Sequence, residues 1–397
     1  MKKFWLLAAV SLLGACAIDE TLEPPAELVE FEQRVDIERA WSVTPGGRSL
    51  WFFGGDKGSS LRLGLVPATD GTNVYVATHD GVVEAYRLED GERLWRYRSY
   101  ERGLLGREGG IPFSAGPSVD AGLVVVGGVN GEVVALDAAS GEVKWTESLK
   151  GELLAPPRVL RRQVIMRTTD GRLISLDTAT GKRLWETVRE VPALTIRGNG
   201  TPGVGRNLFV GFDNGRVAAL SLENGSMIWE SVIANPVGAS ELGAIVDVDG
   251  DLRIYGNEVY ATSYNGNVAA LAAESGEILW RREVPSVLSP AIFAGDVFVT
   301  DVDSVVHAFD RLSGTTVWSQ DALRARKLTA PVPFEGMIVV GDFEGYLHFL
   351  DTASGEMLAR VSHGGEPLRV APVVAGDLLL VLSDDGKLAA WRLAEEN

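Results

Sequence analysis

The residues of this 397-residue chain that could do chemistry are few: four histidines, one cysteine and one dense run of carboxylates. His79, His307, His348 and His363 are scattered, and no two lie within four residues of each other. A catalytic base or nucleophile needs a partner in defined geometry, and this spacing supplies none locally. His307 and His348 occupy the same place in two copies of a repeated segment, where other copies carry Glu84 or Val134. They read as variants at a strand position. No Gly-x-Ser-x-Gly, His-Glu-x-x-His or Walker-type loop occurs. The acidic run Asp247-Val248-Asp249-Gly250-Asp251, with Glu258 beyond it, imitates the first, third, fifth and twelfth positions of an EF-hand loop. Leu252 stands where that loop needs glycine, and no flanking helices are evident. No metal is expected here. The run reads as a solvated acidic loop or a partner-binding loop.

With no catalytic constellation in view, the repeats that would carry these residues become the main signal. A segment of the type VYVATHDGVVEAYRLEDGERLW (74–95) recurs, the eighth copy being truncated at 379–397. Each copy holds three apolar or alternating runs separated by turns, and a further short apolar stretch precedes it, such as Ala291–Phe293. Alternation with β-branched residues argues for strands, and the Asp-Gly and Asn-Gly pairs for tight hairpins at positive φ. The turn positions Gly81, Gly131, Gly171, Gly215, Gly266, Ser304, Gly345 and Gly386 are spaced by 50, 40, 44, 51, 38, 41 and 41 residues. Four-stranded units of that size are propeller blades. The expectation is an all-β, eight-bladed β-propeller of four-stranded antiparallel blades. The last copy lacks its outer strand, and residues 35–43 (VDIERAWSV) look like the missing piece. An N-terminal strand should therefore close the ring. Trp41, Trp95, Trp145, Trp185, Trp229, Trp280 and Trp318 recur at one outer-strand position, with Ala359 breaking the series. They are read as packing between blades.

The net charge of −17 and the lack of a basic stripe exclude nucleic acid as a partner. Lys2 and Lys3 precede an apolar run from Phe4 to Ala15 that ends Leu13-Gly14-Ala15-Cys16. This resembles the lipobox of bacterial lipoproteins, which implies a signal peptide over 1–15 and a lipidated Cys16. Ala17 follows, rather than the aspartate that retains lipoproteins in the inner membrane of enteric bacteria. The expected place is the periplasmic face of the outer membrane, held by the lipid anchor. Residues 16–34 read as a lipidated N-terminus and flexible tether, and 35–397 as the propeller.

Copies that agree build the fold, so function belongs where they differ. Three connections between consecutive blades are enlarged: 96–114, 186–200 and 230–255. In an up-and-down blade they share one face with the hairpin turns. The second and third follow consecutive repeats and should be neighbours. Leu194, Ile196 and Arg197 lie on the second, and Asp247 and Asp249 on the third. An exposed apolar pair beside an arginine and two carboxylates has the composition of a protein-binding hot spot. Arg197 paired with Asp247 or Asp249 would equally pin the two loops together, and both readings can hold.

The repeat with its Gly-x-x-x-Trp resembles that of the PQQ-dependent quinoprotein dehydrogenases. Those enzymes carry a vicinal cysteine pair beside the quinone, which a chain with Cys16 as its sole cysteine cannot form. The chain is more similar to the BamB family, on the lipobox, the N-terminal closing strand and the strings ALTIRG, DNGRV, YNGN and GDFEGYLHFLD. That resemblance implies a non-enzymatic scaffold of the β-barrel assembly (BAM) complex, without cofactor, that assists insertion of nascent outer-membrane proteins. It also implies that Leu194, Ile196, Arg197, Asp247 and Asp249 engage the POTRA domains of BamA. The alternatives are a periplasmic quinoprotein dehydrogenase, or a lipoprotein propeller with an unrelated envelope partner.

Overall fold

The computed structural model describes residues 23–46, 65–103, 106–108, 111–189, 191, 200–236 and 245–394. Eight four-stranded antiparallel sheets follow one another along the chain, with an additional two-stranded ribbon in the connection after blade 1. Blades 1 to 7 take their strands in sequence order from inner to outer edge. Blade 8 takes its inner three from Val373–Ala375, Leu378–Leu382 and Leu388–Leu393, and its outer strand from Ile37–Val43. The closing strand pairs antiparallel with 388–393, from Ile37 opposite Leu393 to Val43 opposite Leu388. Closure by the N-terminal strand is thus as expected, and that strand begins at Ile37 rather than at residue 35.

The Gly-x-x-x-Trp spacing has its cause between blades. Each outer-strand indole N–H donates to a carbonyl in the next blade's outer turn: Trp95 to Ala138 (2.9 Å), Trp145 to Thr178 (2.8 Å), Trp280 to Arg311 (2.7 Å). The same ring lies flat on the glycine of that turn. A Cβ on Gly141 would sit 2.5 Å from Trp95, and Gly141 has φ +73°, so both space and backbone require glycine. The pattern repeats from Trp41 on Gly91 to Trp318 on Gly355. Glycine and tryptophan adjacent in sequence therefore belong to two different blade contacts.

This also accounts for Ala359. The third and fourth strands of blade 8 come from opposite ends of the chain. No outer turn joins them, so neither a carbonyl nor a turn glycine is available to a blade 7 tryptophan. Ala359 instead packs in a cluster with Trp391, Val35 and Ile37. Ser304, the other departure, takes the left-handed conformation directly (φ +68°). Its buried hydroxyl accepts the Leu328 N–H, which offsets the strain with a hydrogen bond.

The hairpin turns and the blade-to-blade connections do share one face. The Ser99, Leu149, Arg189, Ile233 and His363 N–H groups each donate to the carbonyl of the hairpin glycine of their own blade. The expectation of a tether over 16–34 needs correction. Residues 23–34 are docked on blades 6 and 7, with the Ala26 N–H on the Arg324 carbonyl and the Arg34 N–H on the Leu358 carbonyl. Arginines some 300 residues away in sequence hold this stretch, so no local periodicity announces it.

Candidate functional site

Cys16, Leu194, Ile196 and Arg197 lie outside the described residues, as do residues 237–244 of the third enlarged connection. The described flanks nevertheless bring the second and third connections together. The Thr201 N–H donates to Asp251 at 2.7 Å. Gly200 lies so close to the Asp249 and Gly250 carbonyls that a Cβ there would be 2.6–2.8 Å from them. The two loops are neighbours, as read from the repeat order.

The carboxylates are not where an exposed hot spot would put them. Asp247 is 0% and Asp249 9% exposed. The cause lies in the path of residues 246–249, which fold inward over blade 4. The Val248 N–H donates to the Phe212 carbonyl (3.2 Å), and the Tyr264 N–H to the Asp247 carbonyl (2.9 Å). Val248 fills the space beside Gly211, where any side chain would clash. The reading of Asp247 and Asp249 as solvated surface carboxylates is therefore corrected. The alternative weighed from sequence, a pairing of Arg197 with Asp247 or Asp249, turns on a residue outside the described ones.

Beneath them lies a pair that the sequence reading missed. Arg167, from blade 3, donates to the Gly211 carbonyl and to the Asp213 carboxylate, both at 2.8 Å. Arg167 is 3% exposed, and its guanidinium also lies over the Phe212 ring. The pair links blade 3 to the turn of blade 4 that carries residues 246–249. A signal existed in the repeats: at the position of Arg167 the other copies hold Ala77, Gly127, Gly211, Thr262, Thr300, Gly341 and Leu382. A lone charge in a small-residue strand position needs a buried partner.

Asp249 is the unusual member. Neither of its carboxylate oxygens has a hydrogen-bond partner among the described residues. Burial first, and then the Asp247 and Asp213 carboxylates, raise its pKa to about 8, with Arg167 opposing. The group therefore holds its proton at neutral pH, which spares this buried carboxyl cluster one full charge.

The EF-hand likeness does not extend to the fold. Glu258, the twelfth position, accepts the Tyr260 hydroxyl at 2.5 Å and pairs with Arg311. The histidines serve structure at separate places. His307 and His348 bridge to Asp301 and Asp342, each at 2.9 Å, and those aspartates also cap the backbone of their hairpin turns. His79 meets the Phe113 carbonyl, and His363 meets the Lys387 carbonyl and the Trp391 indole.

Similarity to known proteins runs the length of the chain. The family model described as "Outer membrane protein assembly factor BamB" matches residues 79–320 and 302–396. The protein of that name from Yersinia pestis is 35% identical, covering 97% of each chain. That from Pseudomonas aeruginosa is 37% identical over 98% of this chain and 97% of its own. The crystal structure of BamB from Moraxella catarrhalis superposes with a TM-score of 0.78 at 25% identity, covering 90% of this chain and all of that one. A europium-containing methanol dehydrogenase shares the fold alone, with a TM-score of 0.68 at 13% identity. Propeller architecture, closing strand and full-length similarity agree: the chain belongs to the BamB family of outer membrane protein assembly factors.

Proposed function

We propose that this protein is a non-enzymatic scaffold of the BAM complex, held on the periplasmic face of the outer membrane by a lipidated Cys16. Its loop face binds a POTRA domain of BamA and so helps present nascent barrel proteins for insertion. The observation that carries the reading is the meeting of the two enlarged connections on one face at blades 3 to 5, pinned by Thr201 on Asp251 and built over the Arg167–Asp213 pair. Function in a repeat protein sits where its copies diverge, and these copies diverge there. Leu194, Ile196 and Arg197 are the contact residues in this reading. Asp247 and Asp249 shape the platform that presents them.

The test is affinity capture from detergent-solubilised envelopes with the lipidated protein as bait. A large β-barrel protein with POTRA repeats should be recovered. Arg197→Ala should lose most of that recovery with no change in melting temperature. An intact bait that recovers no such protein, or equal recovery by Arg197→Ala, contradicts the assignment.

A further inference from the structure

Residues 23–34 form a docked strap whose direction has a consequence for orientation. Its contacts are spread along its whole length. Glu23 pairs with Arg324 at 3.0 Å. The Ala26 carbonyl accepts Arg326 at 2.9 Å, and the Val29 carbonyl accepts Arg360 at 3.1 Å. Leu28 packs on the apolar cluster between blades 6 and 7, and the Arg360 guanidinium lies 5.1 Å from the Phe31 ring centroid. Arg34 pairs with Glu356 at 2.8 Å. Arg326 is itself buried and fixed by Asp342, which also holds His348. The strap therefore grips side chains that cannot easily move.

Its two ends lie on opposite faces. Arg34 meets Leu358 and Glu356, at the start of blade 7's outer strand, on the face away from the hairpin turns. Residues 23–26 meet the connection at 324–326, whose backbone is bonded to the hairpin turns at Asp303 and Phe343. The chain towards Cys16 thus leaves from the loop face, at blades 6 and 7. Only seven residue steps separate Glu23 from Cys16. Fully extended, they reach about 25 Å.

We infer that the strap orients the propeller at the bilayer, keeping the loop face of blades 6 and 7 within about 25 Å of the lipid headgroups. The inference rests on the reading of Cys16 as the lipid-anchored residue. A net charge of −17 opposes adsorption to an anionic headgroup layer, so orientation comes from the short leash rather than from surface attraction. The binding platform at blades 3 to 5 shares that face and is met by a partner on the membrane side of the propeller.

The test uses the lipidated full chain in phosphatidylethanolamine–phosphatidylglycerol vesicles that contain a headgroup-nitroxide lipid. A fluorophore is attached at Val302→Cys or at Leu312→Cys. Both positions are exposed in blade 6, on the hairpin turn and on the opposite turn respectively. Quenching should be several-fold stronger at 302 than at 312. Inserting twenty Gly/Ser residues between positions 22 and 23 should abolish the contrast. Equal or reversed quenching, or a contrast that survives the insertion, overturns the inference. Cys16→Ser should no longer float with the vesicles. If it still floats, the anchor reading itself fails, a result distinct from a lipidated protein that floats without the contrast.

Discussion

Replacing Trp280 with alanine lowers the stability of the propeller by about 3–5 kcal/mol. Trp280 is 6% exposed, donates to the Arg311 carbonyl at 2.7 Å, lies on Gly314 and packs against Tyr260 and Phe309. Truncation opens a cavity between blades 5 and 6 and leaves that carbonyl without its donor. Neither loss can be repaired locally, because Gly314 at φ +65° offers no side chain to fill the gap. Leu279 is the control: it neighbours Trp280 in the same strand and is 47% exposed, so Leu279→Ala should cost no more than about 0.5 kcal/mol. Denaturant unfolding of both variants reads the difference. A loss at Trp280 no larger than that at Leu279 would show that the indole–glycine contact does not hold the blades together.

The second large effect is a pH dependence set by Asp249. Its folded pKa is raised to about 8 by burial and by the neighbouring Asp247 and Asp213 carboxylates, whereas an unfolded aspartate titrates near 3.8. Folding therefore takes up a proton between these values. The stabilising contribution of the protonated group is complete below about pH 4 and is lost as pH rises to about 8, at up to about 1.4 kcal/mol per pH unit. The amide introduced by Asp249→Asn does not titrate. The variant should gain stability over the natural protein at pH 8 and gain little at pH 5. Paired denaturation curves at several pH values cancel the other titrating groups, which both proteins share. A difference that does not change between pH 5 and pH 8 would mean that Asp249 is ionised throughout.

How much of this was legible in the sequence depends on whether a feature is built within one repeat or between distant segments. Blade count and hairpin glycines were legible because each copy repeats them every 38 to 51 residues, and the closing strand because the last copy lacks its outer strand. The divergent loops were legible from the same repeats, as the longer of those intervals. The burial of Asp247 and Asp249 was not. Their surroundings are set by Arg167 of blade 3 and Gly211 of blade 4, far apart in sequence. A charged run in a loop reads as solvated until its partners are known. The strap at 23–34 was missed because its backbone carbonyls accept hydrogen bonds from the distant Arg326 and Arg360, which leaves no periodic trace. Ala359 looked like an unexplained lapse in a repeat. It follows from ring closure by two chain ends, which removes the turn that a tryptophan would need.

The central claim is that the loop face at blades 3 to 5 binds a POTRA domain through Leu194, Ile196 and Arg197. The most direct measurement is a calorimetric titration of the detergent-solubilised lipidated protein with a purified tandem POTRA fragment of BamA, repeated with Arg197→Ala. Saturable binding is expected, weakened at least about tenfold by the substitution, which corresponds to about 1.4 kcal/mol. Absence of binding to any POTRA fragment, or an affinity indifferent to Arg197, would contradict the account.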